Sequence, residues 1–95
     1  MVKNIELLLP FYKAIICEGE SIINDKKVNV TKNDIDEIVR IIRDWDTEYR
    51  NTFSQDIYTI KVITDKGEYV YKFLNAFPDD YYLLEKFIGD LYARS

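Results

Sequence analysis

The sequence predicts an α+β fold, a two-layer sandwich in which an antiparallel sheet carries two helices on one face. Three observations predict it. Apolar residues recur at helical spacing behind Thr31, an alternating pattern over residues 57 to 73 reads as a hairpin, and Pro78 opens a second amphipathic stretch. Two helices with one apolar stripe each can bury both stripes against a shared sheet face.

Residues 1 to 10 are ambiguous on pattern alone, because Ile5 and Leu7 to Leu9 suit either a buried strand or one helical turn, and Pro10 stops both. The reading adopted is a strand or an arm. Phe11 to Val30 is rich in β-branched residues and punctuated by Gly19 and the polar run Asn24-Asp25-Lys26-Lys27. It reads as strand, bend, strand, turn, strand.

Thr31-Lys32-Asn33-Asp34 is a helix-capping pattern, in which the Thr31 hydroxyl accepts from a backbone N–H and Asp34 favours the positive helix end. A helix is therefore expected from Lys32 to about residue 46. Ile35, Ile38, Val39, Ile42 and Trp45 form its buried stripe, which places Trp45 in the core, and Asp36 pairs with Arg40 four residues on across the wet face. From Asp46 to Asp56 the pattern turns polar, giving a surface loop pinned to the core by Tyr49 and Phe53.

Register can be argued for the hairpin of Ile57–Ile63 and Glu68–Phe73. A connection with an even residue count pairs Val62 with Tyr69 and Ile60 with Tyr71, leaving Thr59, Lys61, Glu68 and Lys72 on the outer face. A four-residue loop, Thr64 to Gly67, with Gly67 at positive φ, satisfies this. By the same parity Tyr58, Tyr69 and Tyr71 face the core. Pro78-Asp79-Asp80 then opens a helix over about residues 79 to 93, with both acids stabilising its macrodipole and Leu84, Phe87, Ile88 and Leu91 as its stripe.

At 95 residues the chain is expected to be a single domain, 1–95, and with 47% hydrophobic residues it can build one core without disulfides. Cys17 is the only cysteine, which implies a reducing, cytoplasmic setting. Pro10 and Lys13 interrupt the N-terminal apolar run far short of the ~20 residues of a membrane helix. Asn29-Val30-Thr31 matches the glycosylation pattern but lacks a secretion signal. A net charge of -4 opposes direct binding to nucleic acid or to an anionic membrane.

The chain has no histidine, which removes the His-dependent triads, His-ligated zinc and the usual neutral-pH base. Gly19, Gly67 and Gly89 are too scattered for a phosphate loop. Asp44, Asp46 and Glu48 alternate like the first ligands of a calcium loop, but Tyr49 stands where that loop needs glycine and Gln55 where it needs glutamate. No catalytic site, metal or cofactor is expected. Cys17, without a neighbouring base, reads as a packing residue.

The helix ending near Trp45, Tyr49 shortly after it, the 57 to 73 hairpin and the run Asn75-Ala76-Phe77-Pro78-Asp79 carry a resemblance. In these features the chain resembles a group of small uncharacterised α+β domains of AT-rich bacteria and their mobile elements. The match covers about the last two-thirds of the sequence, with Phe73-Leu74 where a glycine is expected before Asn75. What it implies is the fold and no reaction.

The function expected is that of a non-catalytic protein-binding module. An inhibitor encoded by a phage or mobile element, such as an anti-CRISPR protein, and an immunity protein are equally compatible, each using acidic surface to bind a basic protein. A structural or regulatory subunit of a larger assembly is the alternative, followed by a carboxylate-dependent enzyme. Residues 34 to 56 hold seven acids against three arginines, a local excess equal to that of the whole chain. Asp36, Glu37, Asp44, Asp46, Glu48 and Tyr49 are therefore the expected protein-binding residues.

Overall fold

A computed structural model describes residues 1–51 and 56–94. The chain order is β1 (Val2–Leu8), β2 (Lys13–Ile16), β3 (Gly19–Ile23), β4 (Lys26–Val30), α1 (Lys32–Ile42), β5 (Glu48–Arg50), β6 (Tyr58–Thr64), β7 (Gly67–Leu74) and α2 (Tyr81–Ala93). The strands form one sheet in the order β4-β3-β2-β1-β6-β7-β5. The ambiguous N-terminal run is thus a strand, and it lies mid-sheet, paired antiparallel with both β2 and β6. Ile5 and Leu7 point inward and are buried, while Leu8 points out.

Asn24 and Asp25 make the β3–β4 turn with φ of 49° and 68°, the positive pair that a two-residue hairpin turn requires. The turn is shorter than the sequence pattern suggests, because Lys26 and Lys27 already belong to β4. The Asn24 side chain accepts from the Lys13 N–H at 2.8 Å and donates to the Phe11 carbonyl at 2.9 Å, tying this turn to the β1–β2 loop. Lys26 donates to the Tyr92 carbonyl at 2.9 Å, supplying a cation to the α2 C-terminus. Gly19 makes the bend before β3 with φ of 102°, a backbone state that side chains other than glycine's rarely tolerate.

Thr31 caps α1 as expected. Its hydroxyl accepts from the Asp34 N–H at 3.2 Å, and the Asp34 carboxylate accepts from the Thr31 N–H at 2.9 Å. The same carboxylate takes a bidentate pair from Arg94 at 2.6 and 3.2 Å, so the start of α1 is tied to the end of α2. The helix stops at Ile42, short of residue 46, and a further turn held by Trp45 N–H to the Ile42 carbonyl carries the Trp inward. Ile41 joins the buried stripe, Val39 only packs beside it, and Arg40 pairs with Glu37 three residues back instead of Asp36.

The expected polar loop contains a strand. β5 pairs with β7 in parallel, with Tyr49 opposite Phe73, so the sheet is mixed instead of purely antiparallel. Three residues with outward Glu48 and Arg50 give too short an alternation to show in the sequence. Phe53 lies outside the described residues. The β6–β7 register matches the expectation, with Ile60 opposite Tyr71 and Val62 opposite Tyr69, but Thr64 pairs with Gly67. The connection is therefore Asp65-Lys66 alone. Tyr69 lies beside that turn, and despite its inward parity it is 55% exposed.

α2 begins at Tyr81, later than expected. Asp80, at the N-cap position, makes no side-chain cap bond, and its carboxylate accepts from the Trp45 indole N–H at 2.8 Å. The buried residues of both helices and of one sheet face form a single hydrophobic cluster, in which Ile38, Ile42, Ile60, Leu84, Ile88 and Leu91 are fully enclosed. Tyr71 and Phe87 lie half-buried at its margin. Among the described residues, no helix is long and apolar enough to cross a membrane.

Candidate functional site

The expected binding residues fall on α1, on the turn that follows it and on β5. Asp36 is exposed, whereas Glu37 is half-buried against Arg40, whose hydrogen bond holds its carboxyl below the usual range. Asp44 stands eight positions after Asp36 and two past the end of α1, so the acids form a strip instead of a cluster. Glu48 is paired with Arg50 at 3.2 Å. Among the described residues, Asp36, Asp44 and Asp46 have no cationic partner within 4 Å.

An aromatic cluster carries this strip. Phe73 is enclosed by Tyr49, stacked at 5.8 Å, Phe77, stacked at 5.4 Å, and Trp45, edge-on at 6.0 Å. The Tyr49 hydroxyl accepts from the Asp46 N–H at 3.0 Å. Asp44 and Asp46 consequently flank an anchored Trp on a turn fixed from both ends. Tyr49 is half-buried and largely committed to that task, so little of it is free as a contact. Tyr81 packs into the same cluster with its hydroxyl buried, and burial, together with the Glu85 carboxylate beside it, pushes its pKa up.

A second surface escapes sequence reasoning. On the sheet face opposite the buried cluster, Leu8, Ile15 and Ile22 are 46%, 56% and 44% exposed. They line an open groove of about 700 Å³ rimmed by Glu6, Lys13 and Lys61. The signal was present but undecided. Leu7-Leu8, Ile15-Ile16 and Ile22-Ile23 are apolar doublets, and a doublet puts one residue on each face whichever way the strand is turned.

Among the described residues, no three His, Cys, Asp or Glu side chains group as metal ligands would. What the two surfaces can offer is fixed charge on one side and apolar area on the other. Comparison with protein-family models, with curated proteins and with solved structures finds no match.

Proposed function

We propose that this chain is a non-catalytic protein-binding module that engages a basic protein surface through the acidic strip of α1, its following turn and β5. One observation carries the reading: Asp44 and Asp46 are exposed and unpaired by described cations, on a turn immobilised by buried Trp45 and by Tyr49. Charges already held in place need little further ordering when they bind. A net charge of -4 adds long-range steering toward a positive groove and disfavours direct nucleic-acid binding.

A mobile-element inhibitor that occupies a groove built for nucleic acid, and an immunity protein that covers a toxin, both fit this chemistry in a cytoplasmic setting. Neither metal nor cofactor enters the reading. In the two-layer arrangement we infer, the acidic strip lies toward the β5 edge and, apart from Glu48 on that edge, leaves the outer sheet face free. That apolar face favours the second reading, a structural or regulatory subunit.

A tagged pull-down from the native host identifies the partner. With it in hand, reversing Asp44, Asp46 and Glu48 to Lys should slow association at low salt by at least about tenfold, with the circular dichroism spectrum unchanged. An unaltered rate in the folded triple variant rejects this surface.

A further inference from the structure

β4 ends the sheet on the side away from β5, and among the described residues it pairs only with β3. The two-residue turn Asn24-Asp25 closes on the pair Ile23–Lys26, which in such a hairpin exchanges both backbone hydrogen bonds. Alternation along the strand then points the N–H and C=O of Lys26, Val28 and Val30 at β3, and those of Lys27 and Asn29 at the open edge. Neither Lys27 nor Asn29 has another backbone partner among the described residues. Four backbone groups in extended register are thus left to water, an arrangement that an added strand satisfies.

The surroundings of this edge specify the kind of strand. Residues 26 to 33 hold three lysines, Lys26, Lys27 and Lys32, and no acid, in a chain whose net charge is -4. Lys26 is engaged by Tyr92, donating to its carbonyl and lying 4.5 Å from its ring centre. Lys27 and Lys32 are exposed. Lys27 reaches only Glu20, at 3.9 Å between two well-solvated side chains, and Lys32 has no ion pair among the described residues. A segment carrying carboxylates would meet both cations with little to displace.

A second copy fits this edge poorly. Val28 and Val30 are only 2% and 1% exposed although their strand is the outermost, so the helix layer closes over them from below. Strands pair at about 4.8 Å, whereas helices pack at about 8–10 Å, so two copies joined edge to edge would crowd their helix layers beneath the seam. A lone extended segment brings no such layer. We propose that the β4 edge takes up an extended acidic segment of a partner protein, paired antiparallel, with acids opposite Lys27 and Asn29 on the outer face. The site uses none of the acidic-strip residues and stands independently of their role.

Amide hydrogen exchange of the full chain, followed by NMR, reads the edge residue by residue. In the free chain Lys27 and Asn29 should exchange rapidly and Val28 slowly. The probe is a capped peptide of about eight residues alternating Val and Glu, with its Val-Lys counterpart and a copy N-methylated at the Glu residues as controls. Saturation with the Val-Glu peptide should slow exchange at Lys27 and Asn29 at least about tenfold, and neither control should. Lys27→Glu should weaken the peptide's affinity at least about tenfold by chemical-shift titration. Asn29→Pro, which removes an outward N–H that an edge strand can spare, should keep the native circular dichroism spectrum and lose binding. No protection at about 1 mM Val-Glu peptide overturns the proposal, as does equal protection by either control. Protection at Lys27 and Asn29 that rises with the concentration of the unliganded chain assigns the edge to a second copy and overturns it too.

Discussion

Phe73→Ala is expected to lower unfolding stability by about 3–5 kcal/mol, a large share of what a domain of this size possesses. Phe73 is fully enclosed, and it is the residue on which the β5–β6–β7 end of the sheet is assembled. Tyr58 and Tyr49 are its register partners on either side, and its ring meets those of Trp45, Tyr49, Phe77 and Tyr81 within 6.3 Å. Truncation therefore opens a cavity and removes several ring pairs together, each worth about 0.5–1.5 kcal/mol beyond area burial. Urea titration followed by Trp45 fluorescence measures the loss. Phe73→Leu, which keeps most of the volume, should cost well under half as much, and a loss below about 1 kcal/mol for the alanine variant would place the energetic centre elsewhere.

Asp34→Ala should cost about 2 kcal/mol, because one carboxylate both completes the α1 capping box and receives the Arg94 guanidinium. The loss should depend on pH. The Arg94 hydrogen bond holds the Asp34 carboxyl below its ordinary value of 3.8, so its contribution is complete above that value and disappears as pH falls through the lower folded value. Wild type and variant should therefore differ by a constant amount from neutral pH down to about 5 and converge in stronger acid. Arg94→Ala separates the two roles, since it leaves the capping box intact, and the half-exposed arginine should account for the smaller part. A wild-type advantage that survives unchanged below the folded value would contradict this assignment.

Where neighbours along the chain determine structure, the sequence was readable. The Thr31–Asp34 cap, the β6–β7 register and the α2 stripe are each set within a few residues. Parity alone could not choose between Leu7 and Leu8, or between Ile15 and Ile16, so the apolar outer face stayed hidden. Neither the Arg94–Asp34 pair nor the Trp45–Asp80 bond has a local signature, because each joins residues that only the tertiary fold brings together. Trp45 lies in the core, as its place on the stripe predicts, and its indole N–H donates to the Asp80 carboxylate at the α2 N-cap. Along the sequence the acidic residues form one segment. In three dimensions Glu37 and Glu48 are paired with neighbouring arginines and Asp36 is set apart, which leaves Asp44 and Asp46 as its exposed centre.

The mid-sheet place of β1 has a consequence for synthesis. β2, β3 and β4 follow β1 through short connections and can form a meander with it from nearby residues, whereas β6, its other neighbour, lies about 50 residues further along. At about 5–20 residues per second, the ribosome leaves an interval of about 3–10 s between the two strands. Throughout it, one edge of β1 presents unpaired backbone groups beside the apolar side chains of Ile5 and Leu7, a template for any extended chain nearby. Closing that distance adds little to the equilibrium cost, because loop entropy grows only logarithmically with length. The exposure is kinetic, and the arrival of β6 ends it.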